Sequence, residues 1–277
     1  MMPSFQLANK HQRLSSLLLL LPTAARAALS TTSSSPTIIN HLLHRPHLTH
    51  SYYALRHGQS LANVAQIISS DPQISTVQHG LSKVGQEQAT LAGKSFAKQY
   101  LNDASSSKNV NYKGVAIFSS DFTRARETAT LFTQQLHNHQ EIPIYTNDIV
   151  LETRLRERYF GELNGGPDDQ YQKVWDVDCT NPNHDEFGVE AANCVLERTT
   201  RLVTELDELL SSSTASTTAA SSSSNGSEEE QKWKVILVAH GDVLQIMQTG
   251  FLRHEDAARH RSLEHLETAT IRELILN

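Results

Sequence analysis

YYALRHGQS, residues 52–60, and KVILVAHGDVLQI, residues 234–246, decide how this chain is read. In each, a short apolar run of strand length ends in His-Gly and gives way to a polar or helix-forming stretch. Working outward, strands are expected at 52–55, GVAIF (114–118), IPIY (142–145), 234–239 and within 267–276. Helices are expected at 82–100, 122–137, 189–210 and 242–250. The first of these shows a partial stripe (Leu81, Val84, Gln88, Leu91, Ser95); Val195, Leu202, Val203, Leu206, Leu209 and Leu210 give the third a clearer one. Strands alternating with helices predict an α/β fold with a mostly parallel sheet covered on both faces.

In such sheets, sites form beyond the carboxyl ends of the strands. Both His-Gly pairs fall there. So does SSD (119–121), where the third strand end leads to a helix carrying Arg124 in its first turn, with Ser120 or Asp121 suited to the N-cap. Arg56, His57, Arg124 and His240 can therefore face one pocket. Guanidinium forks match phosphate oxygens and stay charged at any working pH, and a neutral imidazole nitrogen can attack phosphorus. A glycine after each histidine, Gly58 and Gly241, removes a side chain where an anion must come close. Glu157, in LETRLRERYFGELNGG (151–166), is placed to protonate a leaving alcohol. Its arginine neighbours, Arg156 and Arg158, lower its pKa or form a charged rim, whereas a bound phosphate raises it. Arg124 paired with Glu127 or Asp121 at the surface is the plainer alternative for that residue.

The chain has 277 residues and a net charge of −6. Residues 1–50 hold four basic residues and no acid, so residues 51–277 carry about −10. An acidic body excludes nucleic acid as the main partner, and no apolar run is long enough to span a membrane. Segment 1–50 reads as a disordered targeting sequence for a mitochondrion or plastid. A secretory signal is the competitor and cytoplasmic residence the remaining alternative. The Ser/Thr-rich stretch 211–230 reads as a low-complexity solvated loop. Neither HRPHLTH (44–50) nor Cys179, His184 and Cys194 has the spacing of a convincing metal site.

Taken in order, LRHGQSLAN, GLSKVGQEQA, FSSDFTRARETA, LRERYFGEL, GVEAANCVLER and VAHGDVLQI resemble the phosphoglycerate-mutase-like branch of the histidine phosphatase superfamily. The resemblance implies a three-layer α/β/α sandwich over residues 51–277. It makes His57 the residue that becomes phosphorylated, Arg56, Arg124 and His240 its phosphate-binding partners, and Glu157 the acid/base. Asn63 and Gly241 then belong to the substrate pocket. It further implies a metal-independent phosphomonoesterase of the histidine acid type, with no cofactor and a small phosphorylated substrate. Ser60-Leu61-Ala62-Asn63 departs from the SxWN of the mutases, and their longer insertions are missing, which favours hydrolysis. A mutase and a non-catalytic phospho-ligand binder remain the alternatives. Oligomeric state is not legible.

Overall fold

The computed structural model describes residues 39–105, 112–215 and 232–277. In chain order the elements are β1 (Ser51–Arg56), α1 (Leu61–Ala65), α2 (Pro72–Ser75), α3 (Lys83–Ser105), β2 (Tyr112–Ser119) and α4 (Thr123–His137). Then follow β3 (Val150–Leu151), α5 (Tyr171–Asp178), α6 (Ala192–Ala215), β4 (Lys232–Ala239), α7 (Gly241–Phe251) and β5 (Ile271–Leu274). The sheet order is β3-β2-β4-β1-β5, parallel except for β5.

Side-chain alternation along the strands builds two separate cores. Tyr52, Ala54, Val235 and Leu237 face α6 and α7, while Tyr53, Leu55, Ile236 and Val238 face α3 and α4. Helices thus cover both faces, as the three-layer expectation requires. Every residue of α7 is buried, which fixes the helix that follows the second His-Gly. No helix among the described residues is long and apolar enough to cross a membrane.

Four sequence expectations need correction. The stretch 142–145 is not a strand: Ile144 makes only an isolated parallel bridge to Val115, and the edge strand comes at β3. Pro143 has no N–H for a ladder, and Tyr145 already opens a 3₁₀ turn. On α3 the expected stripe is not the buried face, since Val84 and Leu91 are half exposed or more. The buried positions are Gly85, Ala89, Gly93, Phe96, Ala97 and Tyr100. A Cβ on Gly93 would stand 2.7 Å from the Phe132 carbonyl oxygen, so small residues let α3 settle on α4.

The boundary at residue 50 also moves. Leu42 is fully buried, Asn40 donates to the carbonyls of Gly250 and His254, and Asp207 accepts from the amides of Thr49 and His50. Segment 39–50 is therefore part of the packed body; the targeting expectation for residues 1–38 lies outside the described residues. Finally, α6 runs on to Ala215, with Ser211 Oγ donating to the Asp207 carbonyl, so the low-complexity stretch begins as helix. Its remainder to residue 230 lies outside the described residues.

Candidate active site

β1 and β4 are neighbours, with Arg56 opposite Ala239, so the two His-Gly pairs emerge side by side. The His57 amide donates to the Ala239 carbonyl (3.0 Å), and the Ser120 amide to Val238 (2.9 Å), which adds the end of β2 to the same rim. The imidazole centroids of His57 and His240 lie 5.1 Å apart. Arg124 sits in the first turn of α4, where its Nε donates to His57 Nε2 (3.2 Å) and its Nη2 to the Ser69 carbonyl (2.8 Å).

Hydrogen bonds assign the His57 tautomer. Nδ1 lies 2.7 Å from the Gly58 carbonyl, which can only accept, so Nδ1 carries the proton. Nε2, receiving the Arg124 Nε–H, must then be the bare nitrogen. Burial, followed by Arg124 and Arg56, holds the His57 pKa well below its ordinary value. A neutral imidazole with its lone pair turned toward two guanidinium groups is the result.

The N-cap of α4 is Phe122, neither Ser120 nor Asp121. Both polar residues have other partners: Ser120 Oγ contacts His240 Nε2 (3.0 Å), and Asp121 takes both Arg156 donors (2.7 and 2.6 Å). The expectation for Gly58 also changes. Its amide donates to Thr128 Oγ1, and a Cβ there would stand 2.5 Å from the Gly85 carbonyl oxygen. Gly58 makes room for α3, not for an anion. Gly241 does line the pocket, where a Cβ would press on Arg56 Nε (3.3 Å) and His265 Cε1 (3.0 Å).

Glu157 is almost wholly buried and accepts the Arg158 amide through Oε1 (3.1 Å). Its flanking arginines do not form a rim around it. Arg156 is spent on Asp121, and Arg158, fully buried, forms a two-point pair with Asp178 (2.6 and 2.9 Å). Arg198 tightens the loop from behind by donating to the carbonyls of Arg154 and Arg156. Freed from its neighbours in sequence, the Glu157 carboxyl is pushed up to about 7 by burial; Arg124 opposes the rise and Asp242 reinforces it. Removing Asp178 would break the two-point pair and leave the buried Arg158 with Asp242 alone, 3.5 Å away. Asp178→Ala is expected to lower unfolding free energy by about 3–5 kcal/mol, read by urea denaturation.

These groups surround a cavity of about 290 Å³ lined by Arg56, His57, Asn63, Arg124, Glu157 and Gly241, with Ser69, Asp168, Tyr171, Trp175, Asp242 and His265 completing the wall. Arg56 is aimed by His265 Nε2 (2.7 Å) and the Leu266 carbonyl (2.8 Å). Asn63 lies in the wall while its side-chain oxygen closes the capping box of α1 with Ser60. His240 is fully buried and stands behind His57, outside the wall, and its Nδ1 has no partner. Ser69, Asp168, Tyr171 and Trp175 come from the stretches 64–80 and 162–188, where the sequence leads one to expect the pocket walls although no pattern there singles out a residue. Sequence reasoning missed His265 and Asp242, and of these only Asp242, directly after the second His-Gly, carried a positional signal. Arg198 pairs with Glu190 (2.8 Å), just ahead of α6.

Known proteins place the fold and the family. The family described as "Histidine phosphatase superfamily (branch 1)" matches residues 52–277. No curated protein matches the sequence. A mycobacterial glucosyl-3-phosphoglycerate phosphatase is similar in structure at 21% identity and a TM-score of 0.55, covering 81% of this chain and 89% of that one. Bacillus stearothermophilus YhfR is similar at 19% identity and a TM-score of 0.53, covering 81% and 90%. At such identities the likeness shows a common fold. With the family match spanning everything from the first core strand to the C-terminal residue, the chain belongs to the histidine phosphatase superfamily, branch 1.

Proposed function

We propose that the chain hydrolyses phosphomonoesters through a phosphohistidine at His57 Nε2, without a metal ion. The observation that carries this reading is the His57 geometry: a neutral ring pinned through Nδ1, its bare Nε2 beside Arg124 and opposite a protonatable carboxyl. A phosphoryl group entering the cavity takes over the Arg124 Nε–H and meets Arg56, so two fixed cations neutralise charge on its oxygens. His240, packed edge-on against His57 outside the cavity wall, holds that ring in place. Its Nε2 lies 3.0 Å from Ser120 Oγ, which also accepts the Phe122 amide (3.3 Å).

Nε2 attacks phosphorus and the P–O bond to the alcohol breaks as Glu157 delivers its proton to the leaving oxygen. In the second half, ionised Glu157 takes a proton from water as that water attacks the phosphoryl group. His57 leaves with its lone pair restored, and orthophosphate departs. Among the described residues, the cavity wall is built without a long covering insertion, which favours hydrolysis over return of the phosphoryl group to an acceptor alcohol.

The test is phosphate release from p-nitrophenyl phosphate by the full chain in excess chelator. Sustained turnover unaffected by chelator is expected. Faster interconversion of phosphoglycerates than phosphate release would instead assign a mutase, and phosphate binding with no turnover of any ester would assign a binding module.

A further inference from the structure

The cations in the wall of the cavity are Arg56 and Arg124, and both point at the phosphoryl seat. The other charged side chains in the wall are carboxylates, Asp168 and Asp242 beside Glu157, among neutral residues. Asp168 enters it from the 3₁₀ turn before α5, held there by its amide on the Gln66 carbonyl (2.9 Å) and by the bridge between Ile67 and Pro167. Asp242 enters from the first turn of α7, 5% exposed, with Oδ1 accepting Trp175 Nε1 (3.0 Å). Its Oδ2 has no hydrogen-bond partner, Arg158 standing 3.5 Å away. Outside the wall, Arg158 is held by Asp178, and Arg261 lies flat on Trp175 (3.6 Å from the ring centroid) and donates to Gln245.

Arg261 also ends a continuous stack. Trp175 lies parallel to Tyr171 (8°, 5.3 Å), and Tyr171 meets Phe160 edge-on (4.6 Å). Tyr171 and Arg261 pack on Trp175, and Trp175 on one face of Tyr171, which limits the aromatic surface on which a nucleobase could stack. A cavity of about 290 Å³ is at the small end for ligand sites.

We infer that the substrate is a phosphomonoester of a small alcohol that carries no negative charge, and that Asp168 enforces this choice. The inference rests on the phosphomonoesterase reading. A second anionic group on the alcohol would meet Asp168 and Asp242 with no further arginine or lysine in the wall to receive it, a like-charge contact that costs affinity. A neutral polyol, or an amino alcohol, instead offers donors to the same carboxylates.

sn-Glycerol 3-phosphate and 3-phosphoglycerate test this closely, since they differ by a hydroxymethyl against a carboxylate. Calorimetric titration of both into the full-length His57→Ala chain reads binding without turnover. Glycerol 3-phosphate is expected to bind roughly tenfold tighter or better. Asp168→Asn in the same background should narrow that ratio severalfold, and added salt should narrow it in the chain that keeps Asp168. Equal binding, or a preference for 3-phosphoglycerate, overturns the inference. So does a ratio that Asp168→Asn leaves unchanged. Turnover of p-nitrophenyl phosphate by the wild-type chain reports separately on the phosphatase reading, so failure of either is recognised on its own.

Discussion

His57→Ala is expected to abolish phosphomonoester hydrolysis, with a fall in kcat of roughly 10⁴-fold or more, the scale seen when a covalent nucleophile is removed. No other group in the cavity can replace it. Ser60 Oγ is tied into the capping box of α1, and His240 is fully buried behind the ring that would be lost. Arg56 keeps its anchors on His265 and Leu266, and Arg124 keeps its bond to the Ser69 carbonyl. The variant should therefore still bind orthophosphate, as an enzyme that has lost its nucleophile and kept its anion seat. Steady-state phosphate release, paired with calorimetric phosphate binding, separates this from simple misfolding. Residual turnover within tenfold of wild type would remove His57 from the nucleophile's role.

Glu157→Gln is expected to cut kcat on an alkyl phosphate by about 10²–10⁴-fold, the usual worth of a positioned general acid. The loss should be smaller on p-nitrophenyl phosphate, because p-nitrophenolate is a stable anion that leaves with little help. The pH profile carries the sign. A carboxyl raised to about 7 by burial donates below that value and loses its proton above it. kcat/KM, which reports the unoccupied cavity, should therefore fall as pH climbs through about 7. In the complex the bound phosphate dianion holds the Glu157 proton more tightly, so the alkaline limb of kcat should lie at higher pH. Burial and the two arginines keep His57 neutral to well below its usual pKa, so the same profile should show no acid limb from His57 near pH 6.5. Glu157→Gln should erase the alkaline limb. A limb that survives the substitution would belong to another group.

The sequence was most legible where local pattern and chemistry coincide. A strand of period two, a His-Gly at its end and a helix after it are all local, and parallel pairing of β1 with β4 follows from burial of both strands on two faces. Legibility fell wherever a partner came from far along the chain. Arg156 and Arg158 flank Glu157, yet their carboxylates lie 35 and 20 residues away, so the pKa of Glu157 could not be weighed from its neighbours. The α3 face was hidden because its contacts are made by Gly85, Ala89 and Gly93, which hydropathy ranks as unremarkable although their smallness is what packs. Gly58 was assigned to the anion for want of any sign that α3 crosses it. His265 comes from an irregular stretch and reaches the site beside Arg56, which it helps to aim, so no motif could mark it.

The most direct measurement is peptide mapping by tandem mass spectrometry after rapid quenching into alkali during turnover, which preserves a phosphohistidine. Phosphate on His57, formed and discharged at least as fast as product accumulates, is the expected result. Phosphate on another residue, or an unmodified His57 at every time point during active turnover, would contradict the account.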